Sequence, residues 1–130
     1  MIILTIRTDK PEAELGLFDD NEQIDYLTWQ AHRELGQTIH SQIKALLDEH
    51  DKPIEDLQAI VAFQGPGSFT GLRIGITVAN GFAYANQLPI VAAMGDDWIR
   101  LGIGRLLKGE SDKLALPEYG AEANITQPRK

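Results

Sequence analysis

Cysteine is absent from the 130 residues, which removes thiolate nucleophiles, disulfide staples and thiolate-ligated metals together. No apolar run approaches the roughly 20 residues needed to cross a bilayer, so no membrane span is expected. Basic charge is short: 12 Lys and Arg stand against 19 Asp and Glu, a formal charge of -7. The shortfall lies before residue 108, because residues 108–130 carry four of each sign. A domain this acidic is a poor independent binder of a phosphate backbone, whose non-specific affinity comes from Lys and Arg contacts; RNA would be met through a partner that supplies the positive surface. Aromatics are sparse, and Trp29, Phe82 and Trp98 are not interleaved with basic residues as a base-stacking surface would be. They read as core or interface. The length leaves room for one ordinary core. Met1 to Ile6 reads as a strand with no basic leader, so a cytoplasmic location is expected.

What is present is patterned. Ile2, Ile3, Leu4 and Ile6 form the nearly continuous apolar run of a strand covered on both faces, and Asp9, Lys10 and Pro11 turn the chain. Ala13, Leu15 and Leu17 alternate with Glu12, Glu14 and Gly16 as a half-buried antiparallel strand does. After a turn at Asp19, Asp20 and Asn21, residues Ile24 to Gln30 supply a third strand. The period then changes: Leu35, Ile39, Ile43, Leu46 and Leu47 predict an amphipathic helix ending near Asp51, ahead of Pro53. A strand over Leu57–Phe63, a loop over Gln64–Phe69, a helix over Thr70–Ala85 and a strand over Leu88–Ala92 follow. A third helix starts at Asp96 or Asp97, where those carboxylates suit a cap and dipole partner, and holds Trp98, Leu101, Leu106 and Leu107. The sum is an α/β domain with a mixed five-stranded sheet (a three-stranded antiparallel meander plus two parallel strands) and about three helices. It is similar to one half of a ribonuclease-H-like or actin-like sheet, with the first and fourth strands as parallel neighbours. From about Lys108 the pattern decays, and the last residues read as an extended or mobile tail.

The densest stretch is Gln64-Gly65-Pro66-Gly67-Ser68-Phe69-Thr70-Gly71-Leu72-Arg73-Ile74-Gly75. Two glycines around a proline, directly after a strand, predict a sharp turn with positive φ at one or both glycines. Ser68 or Thr70 can cap the helix that follows. A rigid turn is one reading; an anion seat at the helix start is another, although the run matches neither the phosphate loop nor the dinucleotide fingerprint. Along the helix, Gly71, Gly75 and Ala79 recur every four residues, with Asn80 and Ala83 beside them. Small residues on one face lower helix propensity unless another backbone approaches closely. That neighbour is either the sheet beneath or a helix of another subunit.

The run from Gly65 to Gly75 resembles the signature of the TsaB (YeaZ) family. Ile3-Leu4-Thr5-Ile6, His40-Ser41 and Leu88-Pro89-Ile90-Val91 extend the resemblance over residues 1–107, and Pro117 to Thr126 is similar to the family's C-terminal tail. The resemblance implies an N-terminal actin-like lobe at 1–107 and a polar linker with tail at 108–130. It leaves no counterpart for the second, larger lobe. It also implies a protein without its own active site, working beside TsaD, which transfers a threonylcarbamoyl group to N6 of the adenosine following the anticodon of certain tRNAs. A TsaE-type ATPase would join the complex, tRNA would be met only through it, and a homodimer is a further option. The implied pairing surface comprises Leu35, Ile39, His40, Ile43 and Leu47 on the first helix and Gly71, Leu72, Gly75, Ala79 and Phe82 on the second. The signature loop comprises Gly65, Pro66, Gly67, Ser68, Phe69, Thr70, Gly71 and Arg73.

No catalytic, cofactor or metal residue is expected. Nucleotide-binding actin-like proteins carry an acidic residue at the end of the first strand, and by resemblance Arg7 stands there. An arginine cannot coordinate Mg²⁺. It reads as solvent-facing, at a sheet edge, or in contact with an anion, with Asp9 as a weak substitute two residues on. His32 and His40 are eight apart, about 12 Å along a helix and too far to share one metal; His50 ends the helix. His40 borders the partner face or simply covers its helix. Arg73 can pair with an acid of the sheet or of a partner, or lie on the surface. Two other function classes remain open: a compact ATPase or phosphotransferase using Thr8, Asp9 and the Gly65–Thr70 loop, and a self-associating accessory protein. Tyr119, Ile125 and the prolines can lay the tail over the exposed side of the sheet or dock it on a partner.

Overall fold

The computed structural model describes residues 1–31, 34–67 and 69–118, with Phe69 described by its backbone alone. Five strands, β1 (Ile2–Arg7), β2 (Glu12–Asp19), β3 (Glu22–Gln30), β4 (Ala59–Gly65) and β5 (Ile90–Met94), form one sheet in the order β3-β2-β1-β4-β5. The meander is antiparallel, whereas β4 is parallel to both β1 and β5. β1 lies at the centre, which is why Ile3, Leu4 and Ile6 are buried although they point alternately to both faces. Asp19 pairs with Glu22, so the β2–β3 hairpin closes on Asp20 and Asn21, and Asp20 takes the left-handed conformation such a turn requires.

Three helices cover the sheet: α1 (Leu35–Glu49), α2 (Phe69–Asn86) and α3 (Trp98–Leu107). α1 and α2 touch each other and share a face, where the apolar stripe of α1 (Leu35, Ile39, Ile43, Leu46 and Leu47) is buried. β4 is covered by α2 on one side and by α3 on the other, where Gly102 lets the helix backbone approach Val61. Trp98 anchors α3, edge-on to Phe63 with ring centroids 5.5 Å apart. Trp29 ties β3 to α1, its indole N–H donating to Thr38 Oγ1 at 3.0 Å.

Several boundaries differ from the sequence reading. Leu57 is buried but follows a 3₁₀ turn at Ile54–Asp56, so β4 starts at Ala59; it continues to Gly65 because Gly65 pairs with Met94 past an irregularity at Phe63. β5 is shifted two residues on, to Ile90–Met94. Asp97 occupies the N-cap position of α3 but makes no capping hydrogen bond; its carboxylate pairs with Arg100 at 2.9 Å, one turn along. The stretch after α3 has no regular secondary structure, and through Glu118 it is tied to the sheet: Asp112 N–H donates to Ile90 O at 2.7 Å and Glu118 N–H to Gln64 O at 2.7 Å. Tyr119, Ile125 and the course of the tail lie outside the described residues, as do Ser68 and His32.

Candidate functional site

The glycine-rich turn is built around its own chain. Gly65 has φ of +120°, whereas Gly67 does not share the left-handed conformation. A Cβ at Gly65 would strike the Glu118 carbonyl, and one at Gly67 would strike the Asp9 side chain. One at Gly71 would meet the Thr8 carbonyl oxygen, and one at Gly75 the Thr8 side chain. Thr8 is buried and its hydroxyl donates to Gly71 O at 2.6 Å. The small-residue face of α2 is therefore turned to the end of β1, which decides between sheet and partner in favour of the sheet. Leu72 is fully buried, whereas Pro66, Thr70 and Arg73 are exposed.

Arg7 is neither solvent-facing nor at a sheet edge, because β1 is the central strand. Its Nε donates to Asp9 Oδ1 at 2.8 Å and its Nη2 to Asp9 Oδ2 at 3.3 Å, while the guanidinium carbon lies 3.9 Å from the centroid of the Phe63 ring. Only 8% of the Asp9 side chain is exposed. Burial pulls the Arg7 pKa down, but the Asp9 hydrogen bond and the charges of Asp9 and Glu14 prevail and hold it above its ordinary value. Beside this pair, Glu14 accepts from Lys10 Nζ at 2.9 Å and from the Tyr26 hydroxyl at 2.6 Å, and burial together with that carboxylate pushes the hydroxyl pKa up. Both Thr8 and Asp9, the residues an ATPase reading would use, are engaged within the fold.

The expected pairing residues divide. Leu35, Ile39, Ile43, Leu47, Leu72 and Ala79 are buried in the domain's own core, and Gly75 is buried against Thr8. Leu35, Ile39, Leu72, Gly75 and Ala79 are thereby corrected to core positions, because the apolar stripe of an amphipathic helix faces its own sheet first, whereas Ile43 and Leu47 also line a surface hollow beside His40 and Phe82. His40 and Phe82 remain at the surface, the two rings 5.8 Å apart and tilted by 36°. Between them runs a mainly apolar groove along α1 and α2, formed of two adjoining hollows that share His40, Ile54 and Phe82. Val78, Gly81 and Ala85 line its α2 side. Sequence reasoning passed over these three. Gly81 is the available signal: it sits inside a helix, and among the described residues a Cβ there would meet nothing within 4 Å, so no described neighbour accounts for its lack of a side chain.

Among the described residues, one set of three possible metal ligands converges: Asp25, Glu49 and His50 each place an atom within 4.8 Å of the others. His50 Nε2 and Asp25 Oδ2 are 2.8 Å apart, and this hydrogen bond, with a second from the Tyr26 N–H, lowers the Asp25 pKa. No helix among the described residues is long and apolar enough to cross a membrane.

The model of the family TsaD, tRNA N6-adenosine threonylcarbamoyltransferase, matches residues 29–93. The chain is similar to the tRNA threonylcarbamoyladenosine biosynthesis protein TsaB of Bacillus subtilis, 33% identical over 93 residues, 71% of this chain and 40% of the relative. It is equally similar to TsaB of Escherichia coli, 34% identical over 96 residues, 70% of this chain and 39% of the relative. Among solved structures, YeaZ from Pseudomonas aeruginosa superposes with a TM-score of 0.66 at 29% identity, covering 72% of this chain and 43% of that one. The chain thus spans about two fifths of the length of these two TsaB relatives, and it shares the α/β fold of YeaZ. The matched span runs from the end of β3 through α1, β4 and α2 into β5, and so contains both the glycine-rich turn and the groove. The chain belongs to the TsaD family of tRNA threonylcarbamoyladenosine proteins, on its TsaB (YeaZ) branch.

Proposed function

We propose that this chain is a non-catalytic partner subunit for a TsaD-type threonylcarbamoyltransferase in tRNA N6-threonylcarbamoyladenosine modification, and that the α1/α2 groove receives helices of that catalytic subunit. The observation that carries the reading is the groove itself: a mainly apolar surface lined by His40 and Phe82, with Gly81 open in one of its two hollows. A helix backbone approaches closely where a side chain is missing, and half-exposed aromatics are frequent anchors of such contacts. The end of β1 supports the non-catalytic part. Arg7 stands where the actin-like fold would need a metal-binding carboxylate, and the nearby Asp9 is neutralised by it at 2.8 Å. The charge of -7 supports an indirect encounter with tRNA.

In the same proposal, residues 1–107 are the N-terminal half of an actin-like pair of lobes and 108–130 a linker and tail. A TsaE-type ATPase belongs to the assembly, a homodimer is the alternative pairing, and the site of action is the cytoplasm. The test is a reconstitution. With tRNA and the activated threonylcarbamoyl donor, the chain alone should transfer nothing, and its addition should raise transfer by its TsaD-type partner. Turnover by the isolated chain would remove the non-catalytic reading.

A further inference from the structure

A segment with little apolar pattern closes one edge of the sheet. Beyond α3, Ser111 and Asp112 stand where a sixth strand would pair with β5: Ile90 N–H donates to Ser111 Oγ at 3.2 Å, Asp112 N–H to Ile90 O at 2.7 Å, and Ala92 N–H to Asp112 Oδ2 at 2.8 Å. Arg105 of α3 holds the same carboxylate. Three residues on, the Asn80 side chain on α2 takes both backbone groups of Ala115: Nδ2 donates to Ala115 O at 3.0 Å, and Oδ1 accepts from Ala115 N–H at 2.8 Å. Ala115 is only 2% exposed, so water is no alternative partner for those groups. The strap then ends on the glycine-rich turn, where Glu118 N–H donates to Gln64 O, Gln64 Nε2 donates to Leu116 O at 3.0 Å, and the Glu118 carbonyl sits against Gly65.

Asn80 is the joint of this arrangement. α2 rests mainly on β4 and β1, so the strap supplies its neighbour on the β5 flank. An amide in a helix interior is a poor helix former, yet this one has both polar atoms satisfied across the helix from its groove-lining neighbours Val78, Gly81 and Phe82. We propose that residues 110–118 form a latch that fixes the seating of α2 through Asn80, so that release of the strap loosens the groove side of α2. That this matters for partner binding rests on the function proposed above; the latch itself does not.

Amide hydrogen exchange on the full chain tests it. Asn80→Ala removes both bonds to Ala115, whereas Asn80→Asp keeps an oxygen to accept from the Ala115 N–H and replaces the donor to its carbonyl with a second acceptor. The latch requires exchange at Ala115 and Glu118 to accelerate at least about tenfold in Asn80→Ala, with acceleration spreading to Val78–Phe82, and Ala115 to stay protected in Asn80→Asp. A merely structural loss would not separate the two variants at that amide. Unchanged exchange at Ala115, or a fast strap above an α2 that exchanges as in the parent chain, would overturn the proposal. If Asn80→Ala does not fold, Gln64→Ala, which frees a side-chain bond at the far end of the strap, is judged by the same two readouts. Binding of the TsaD-type subunit is then compared in Asn80→Ala and Phe82→Asp. If Phe82→Asp still binds, the groove reading fails while the exchange result stands by itself.

Discussion

Thr8 governs how closely α2 approaches the sheet. Its carbonyl and side chain occupy the space where Gly71 and Gly75 would carry a Cβ, so the two glycines serve packing rather than flexibility. Gly75→Ala should destabilise the fold by about 1–3 kcal/mol through overpacking. Gly81→Ala, with no described atom near its added Cβ, should stabilise by roughly 0.5–1 kcal/mol through helix propensity. Urea unfolding measures both, and the reverse order would contradict this assignment of the helix faces. Acid sensitivity belongs to the same scale. Asp25 is held below its usual pKa by His50, and Asp112 by Arg105; at Glu14, burial pushes upward but the Lys10 and Tyr26 hydrogen bonds prevail. A carboxyl with a depressed folded pKa contributes stability above its unfolded pKa of about 4, and that contribution is lost as pH falls through the folded value. Stability should therefore hold from neutral pH to about pH 5 and decline below it. Asp112→Asn should start less stable at neutral pH and show a shallower acid decline, whereas parallel curves for variant and parent would count against the Arg105–Asp112 link.

At the scale of elements, the α1 and α2 pair separates what sequence reveals from what it hides. Periodicity placed α1 from Leu35 nearly to its end, because the apolar side chains every three or four residues are those that meet the sheet. The same small and apolar pattern also marks Ile39 and Ala79, which the domain's own core consumes, beside Ile43 and Leu47, which line the groove. The groove is lined by Val78, Gly81 and Phe82, adjacent to that stripe, and only assembly of the two helices brings them beside His40 and Ile54. The signature turn was legible as a turn, and Gly65 has the positive φ expected there. Its close neighbours, Asp9 and Glu118, are remote in sequence and carry no local signal. Phe82→Asp, which puts a charge at the groove, should weaken partner binding by at least about tenfold, measured below the temperature at which loss of its packing against the core begins to unfold the chain. Calorimetric titration against the catalytic subunit reads this directly; unaltered affinity would move the interface elsewhere.

At the scale of the molecule, the strap after α3 closes one edge of the sheet. β5 is closed by Ser111 and Asp112, whose bonds to Ile90 and Ala92 join side chains to backbone and so leave no trace in hydropathy. Closing an edge in this way blocks the pairing with another chain that an open strand invites. Ending the chain at Lys108 should lower the melting temperature by on the order of 10 °C, because Ile90 and Ala92 lose these partners and the Asn80 amide loses Ala115. An unchanged melting temperature would show that the strap adds nothing to the fold. Association with the catalytic subunit is read by light scattering on a size-separated mixture of this chain with the TsaD-type subunit from the same source. A one-to-one complex that Phe82→Asp dissolves is the expected result; two components that elute separately at every concentration would contradict a partner role.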